Sequence, residues 1–98
     1  MTAAADKPKV HMTITLTGRV QGVGFRETTK YIADHIGVKG FVKNLSNGDL
    51  YMEVEAEEWQ LDAFVDWCNE GPDRADVATC HVATTDVLQN FTNFVIKK

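Results

Sequence analysis

The hydrophobic period of this sequence changes at one point, and that change limits the possible folds more than any other feature. Val10, Met12, Ile14 and Leu16 are apolar, while His11, Thr13, Thr15 and Thr17 between them are polar. A period of two, with threonines on the polar side, predicts a half-buried strand that Gly18 ends. Beyond the loop Arg19-Val20-Gln21-Gly22-Val23-Gly24 the period becomes helical. Phe25, Thr29, Ile32, Ala33 and Ile36 fall on one face, and Gly37 stops the run. The chain therefore passes from strand to helix through a short loop with two close glycines.

The same two periods organise the remainder. Val38 to Leu45 predicts a second strand, and Ser46-Asn47-Gly48-Asp49 carries the Asn-Gly pair favoured in tight hairpins. Leu50, Met52, Val54 and Ala56 alternate with Tyr51, Glu53 and Glu55, which predicts a third strand antiparallel to the second. Leu61, Phe64, Val65 and Cys68 mark a second helix closed by Gly71-Pro72, and Val77 to Leu88 predicts a fourth strand. Phe94-Val95-Ile96 leaves room for a short terminal strand. The order βαββαβ predicts an α+β, ferredoxin-like sandwich: a four-stranded antiparallel sheet with two helices on one face. Residues 1–9 read as a flexible N-terminal tail and residues 10–98 as a single domain. A chain of 98 residues buries about 65% of its surface, so any site is small and near the exterior. The fold hosts enzymes, RNA binders and regulatory domains alike, so function has to be read from particular residues.

Charge and cysteine content exclude several classes. Ten Lys and Arg stand against 14 Asp and Glu, a formal net charge of -4. Displacing phosphate counterions needs a basic face, for which an acidic chain is a poor start though a local basic pocket stays open to it, and no nucleic-acid partner is expected. Thr13, Thr15, Glu53 and Glu55 on the polar sheet face also differ from the exposed aromatics of an RNA-binding sheet. Two cysteines, Cys68 and Cys80, are too few for a disulfide scaffold or a four-cysteine zinc site. The opening M-T-A-A-A-D-K-P-K-V has no apolar core, and no run of about 20 apolar residues follows, so neither a secretory signal nor a membrane partner is expected. A cytoplasmic monomer with reduced thiols is the expectation; in an oxidising compartment Cys68 and Cys80 could pair.

The chemistry concentrates at residues 18–26. A loop entering a helix presents unpaired N–H groups at the positive end of the helix dipole. Gly22 and Gly24 can take positive φ, so that successive amides converge into an anion-binding nest, and Arg26 can add a bidentate grip on two oxygens. Position 27 is Glu27 and no Gly-Lys-Ser/Thr follows, which excludes the dinucleotide fingerprint and the nucleotide P-loop. Spacing alone leaves two readings open: a pocket for a small dianion, or a tight turn beside a solvated arginine.

The string Gly18-Arg19-Val20-Gln21-Gly22-Val23-Gly24-Phe25-Arg26 closely resembles the first signature of the acylphosphatases. Gly40-Phe41-Val42-Lys43-Asn44-Leu45, followed by Asn47-Gly48, resembles their second, and the likeness runs from about Val10 to Lys98. Phe41 stands where many members carry Trp, and Leu45 where several carry Thr, which removes a hydroxyl next to Asn44. The resemblance implies hydrolysis of a small-molecule acyl phosphate to carboxylate and inorganic phosphate, without metal, cofactor or covalent intermediate. It assigns phosphate binding to Arg26 and to the amides of Val20, Gln21, Gly22, Val23, Gly24 and Phe25, and water positioning to Asn44. An acylphosphatase-like domain acting on a carbamoyl-phosphate-type substrate inside a larger maturation enzyme is the alternative within the same resemblance.

Other candidates read as structural. His11, His35 and His81 lack a neighbouring nucleophile, Cys68 and Cys80 read as small core residues, and Trp59, Phe64 and Trp67 as packing. Glu53, Glu55, Glu57 and Glu58 read as a solvated sheet face in place of a metal site, and Arg19 and Lys43 as flanking charges that steer an anion.

Overall fold

The computed structural model describes residues 8–98. Its elements are β1 (Lys9–Arg19), α1 (Phe25–Ile36), β2 (Lys39–Asn44), β3 (Leu50–Glu57), α2 (Glu58–Glu70), β4 (Asp76–Thr85) and β5 (Phe94–Ile96). The expected tail lies outside the described residues except for Pro8 and Lys9, and Lys9 already begins β1. The strands form one sheet in the order β4-β1-β3-β2-β5. The first four are antiparallel and carry the expected ferredoxin-like plan. The expectation of a four-stranded antiparallel sheet needs one correction: β5 extends it to five strands by pairing parallel to β2.

The alternation read from the sequence decides which side of the sheet each residue faces. Met12, Ile14 and Leu16 on β1 and Leu50, Met52, Val54 and Ala56 on β3 are buried under the helices. On α1, Phe25, Thr29 and Ala33 are buried at four-residue intervals; on α2, Leu61, Phe64 and Cys68 are buried at intervals of three and four. Phe64 meets Phe94 at 6.3 Å between centroids, so the last strand belongs to the same core. Gly18 does not end β1. It sits at a bulge where the β1–β4 register shifts, and the strand continues to Arg19. Strand β4 stops at Thr85 and not at Leu88. Trp59 is 58% exposed, so of the three aromatics on α2 only Phe64 and Trp67 pack inward.

The outer face of the sheet departs most from expectation. After β4 the chain crosses from one edge of the sheet to the other before forming β5. Residues of this crossover lie on the outer face. Phe91 stacks on His11 with centroids 5.9 Å apart and meets Phe41 edge-on at 6.0 Å. Glu55, expected in solvent, is 4% exposed. Its carboxylate accepts hydrogen bonds from the N–H groups of Gln89 and Phe91 and contacts His11 Nδ1 at 2.7 Å; His11 Nε2 lies 3.3 Å from Glu53. A buried carboxylate is tolerated only with such partners.

Burial alone pushes the Glu55 carboxyl up, but the N–H groups of Gln89 and Phe91 and the His11 ring outweigh it and hold the group below its ordinary 4.5. The folded chain therefore keeps this carboxylate ionised more readily than the unfolded chain does. That stabilisation is complete above about pH 4.5 and is lost as pH falls through the lower folded value. Glu55→Gln turns an amide donor toward two N–H groups and is expected to destabilise the fold by about 1–3 kcal/mol at pH 7. Urea unfolding of parent and variant at several pH values checks this; the gap should close toward pH 3.

Candidate active site

The loop between β1 and α1 is held by three apolar side chains that point inward. Val20 is 1% exposed, Val23 8% and Phe25 2%, and the Phe25 ring packs edge-on against Trp67 at 5.4 Å. Gly22 and Gly24 between them are exposed and adopt φ of +73° and +77°. The buried residues anchor the loop while the glycines leave its backbone facing outward. Among the described residues nothing accepts a hydrogen bond from the amides of Gly22, Val23 or Gly24. They stand next to the N-terminus of a 12-residue helix, where the dipole adds partial positive charge.

A cleft of about 180 Å³ lies over these amides, lined by Val20, Gln21, Gly22, Gly24, Phe25, Arg26, Glu27 and Asn44. That is below the roughly 300–1,000 Å³ of sites for larger ligands and suits a group the size of a phosphoryl. Arg26, in the first turn of α1, brings the cation. Asn44 arrives from a different part of the chain, as the last residue of β2. It pairs in register with Leu50 and shares the strand parity of Val42 and Gly40, which puts it on the helix side of the sheet.

The structure thus brings Arg26, Asn44 and five of the six expected loop residues to one cleft. Val23 lies in the loop with its side chain in the core. The Val20 amide already donates to Gly18 O at 3.1 Å, so the free donors begin further along the loop. Arg19 is exposed opposite Asp76 on β4, and Lys43 sits 5.8 Å over the Tyr51 ring; neither lines the cleft. His35 stacks on Tyr31, His81 is exposed on β4, and His11 is on the outer face.

Two features had no sequence signal. Glu27, next in sequence to Arg26, lines the same cleft. The Gln21 side chain crosses to the β2–β3 hairpin, where Nε2 donates to Leu45 O at 2.8 Å and Asp49 O at 2.9 Å. Cys68 and Cys80 are free thiols, and burial pushes both up, Cys68 well above the ordinary range.

Known proteins resemble this chain over most of its length. The sequence model of the Acylphosphatase family matches residues 12–96. An acylphosphatase of Geobacter sulfurreducens is 48% identical over 69 residues, which cover 70% of this chain and 76% of that protein. One from Geotalea uraniireducens is 39% identical over 88 residues, 90% of this chain and 97% of its own length. The crystal structure of an acylphosphatase from Bacillus subtilis superposes with a TM-score of 0.89 at 31% identity, covering 91% of this chain and 99% of that one.

The left-handed backbone at Gly24 has a measurable cost when a Cβ is added. No atom lies within 4 Å of where that Cβ would stand, so the penalty is conformational and not a clash. Gly24→Ala is expected to lose about 1–2 kcal/mol of stability in urea unfolding, and Gly24→Asn less, since Asn visits the left-handed region more readily.

Proposed function

Because this chain belongs to the acylphosphatase family and hydrolyses acyl phosphates to a carboxylate and inorganic phosphate, we propose a division of labour among its cleft residues. Arg26 and the amides from Gln21 to Phe25 bind the phosphoryl group, and Asn44 orients the attacking water. The observation that carries this reading is that Arg26, free main-chain donors and Asn44 line a single small cleft.

Phosphoryl transfer places negative charge on three equatorial oxygens, with the nucleophile and leaving group roughly in line. The amides and Arg26 line the cleft before substrate arrives, so in this reading little reorganisation accompanies the reaction. The Asn44 carboxamide is no base at neutral pH, but it has an acceptor and donors that orient water. The water oxygen bonds to phosphorus, the bond to the acyl oxygen breaks, and its electron pair leaves on the carboxylate. Carboxylates are weak bases, so no general acid is required. The water proton passes to a phosphate oxygen, which gives a carboxylate and dihydrogen phosphate.

The finer reading is a cytoplasmic monomer acting on small-molecule acyl phosphates, with no nucleic-acid partner. Two free thiols fit a reducing compartment, and the net charge of -4 and the acidic, partly covered outer sheet face disfavour RNA. No described helix is long and apolar enough to cross a membrane.

Arg26→Ala is expected to lose both affinity and turnover, with kcat/KM for benzoyl phosphate down by about 10³-fold or more. Asn44→Ala should instead lower kcat on the order of 10²-fold while orthophosphate still inhibits. Near-parental kinetics in either variant would refute that residue's role. The parent should strongly prefer benzoyl phosphate to p-nitrophenyl phosphate, whose leaving group is the more basic. EDTA should leave its rate unchanged, because Arg26 and the amides supply the charge neutralisation.

A further inference from the structure

The two halves of the cleft come from connections that the sheet holds apart. The phosphate loop follows β1 and Asn44 ends β2, but β3 lies between these strands. Two interstrand spacings separate β1 from β2, about 10 Å. Backbone pairing ties the two strands only through Leu50 on β3, which pairs with Leu16 and with Asn44, and no backbone hydrogen bond among the described residues joins the loop beyond β1 to Asn44. In-line attack depends on that relation, since a misplacement of about 1 Å can cost on the order of 10²-fold in rate.

One side chain bridges the gap. Gln21 Nε2 donates to Leu45 O, the carbonyl of the residue after Asn44, and to Asp49 O. These two carbonyls stand at the mouth of the β2–β3 turn, which is also closed by Leu45 N–H to Asp49 O at 2.9 Å and Gly48 N–H to Leu45 O at 3.2 Å. Both partners only accept, so the NH₂ end of the carboxamide must face them and both its hydrogens are used. A neutral group does this without adding charge beside the phosphate loop.

We propose that the Gln21 side chain is the positioning residue that holds Asn44 in register with the phosphate loop. It acts on water attack through Asn44 and leaves phosphate affinity to Arg26 and the amides. The inference rests on the proposed role of Asn44, and a double-mutant cycle separates the two. Gln21→Met keeps the side-chain length and removes both donors. Its kcat on benzoyl phosphate should fall about 10-fold or more, while orthophosphate inhibition stays within about threefold of the parent. In an Asn44→Ala background the same substitution should change kcat by less than about twofold, because the residue it positions is gone.

Asn44→Ala with undiminished kcat would refute the water-positioning reading and this inference with it. A slow Asn44→Ala enzyme in which Gln21→Met multiplies the loss overturns this inference alone. So does a Gln21→Met enzyme with parental kcat, or one that loses phosphate affinity as much as turnover. Gln21→Asn, an amide one methylene too short for both carbonyls, should show the same split between kcat and affinity. It decides the matter if Gln21→Met does not fold.

Discussion

The site depends on a single backbone arrangement, in which buried side chains and exposed glycines alternate between β1 and α1. Val20, Val23 and Phe25 enter the core, while Gly22 and Gly24 turn left-handed and carry nothing outward. Either half alone would fail. Without the buried residues the loop would have no reason to hold one shape, since an exposed glycine-containing segment gains entropy by moving. Without the glycines the backbone could not both reverse into the helix and keep its N–H groups accessible. Phe25 is the pivot, because it is at once the first residue of α1, a core aromatic against Trp67 and a lining residue of the cleft. Packing energy from the core is thereby converted into rigidity at the candidate site.

The second half of the site follows from parity. Asn44 lies in the cleft because it is an even number of residues from Val42, whose side chain is fully buried under the helices. A register slip of one residue would send it to the outer face with Phe41 and Lys43. The turn after Asn44 is exposed, and its internal bonds are short-range: Asn47 Nδ2 to Asp49 Oδ2 at 3.1 Å, and Asp49 N–H to Asn47 Oδ1 at 3.0 Å. Such bonds shape the turn without fixing where it sits. The Gln21 amide adds a long-range tie to Leu45 O and Asp49 O, and the proposed positioning role rests on it.

Much of this was legible in the sequence, and the parts that were not share a cause. The strands, both helices and the hairpin at Asn47-Gly48 are local patterns, and periodicity reports them. The glycines and Arg26 offered an anion site or a plain tight turn from local chemistry, and the string around them gave the family. Non-local contacts were not legible. Glu55 belongs to an alternating acidic series and reads as solvated, yet residues 86–93 cover it, and nothing near Glu55 announces their path. The same crossover delivers Phe94 beside Gly40, so the path that seats the short terminal strand parallel to β2 is also the one that buries the carboxylate, and that path was not legible. Gln21 was read for its backbone amide, and its side-chain contacts lie 24 and 28 residues away. Gly18 looked like a terminator because a bulge and a strand end call for the same residue.

An acidic protein that binds a dianion presents an apparent conflict, which the distribution of charge resolves. The acids lie mainly elsewhere: Glu58, Asp62, Asp66 and Glu70 recur every four residues along α2, and Glu53, Glu55 and Glu57 lie on the outer sheet face. At physiological salt the screening length is about 8 Å, so charges across a domain with a radius of gyration of 13.3 Å are strongly attenuated at the cleft. A guanidinium at about 4 Å from an anion interacts by roughly 4 kcal/mol at the effective dielectric of a protein surface, and the oriented amides add to it. Proximity therefore outweighs the sum of charges. Glu27 is the one acid lining the cleft, and its place in the first turn of α1 sets it against the positive end of the helix dipole. The net charge then governs how the molecule as a whole repels other anions, while in the proposed reading the loop governs the one bound in the cleft.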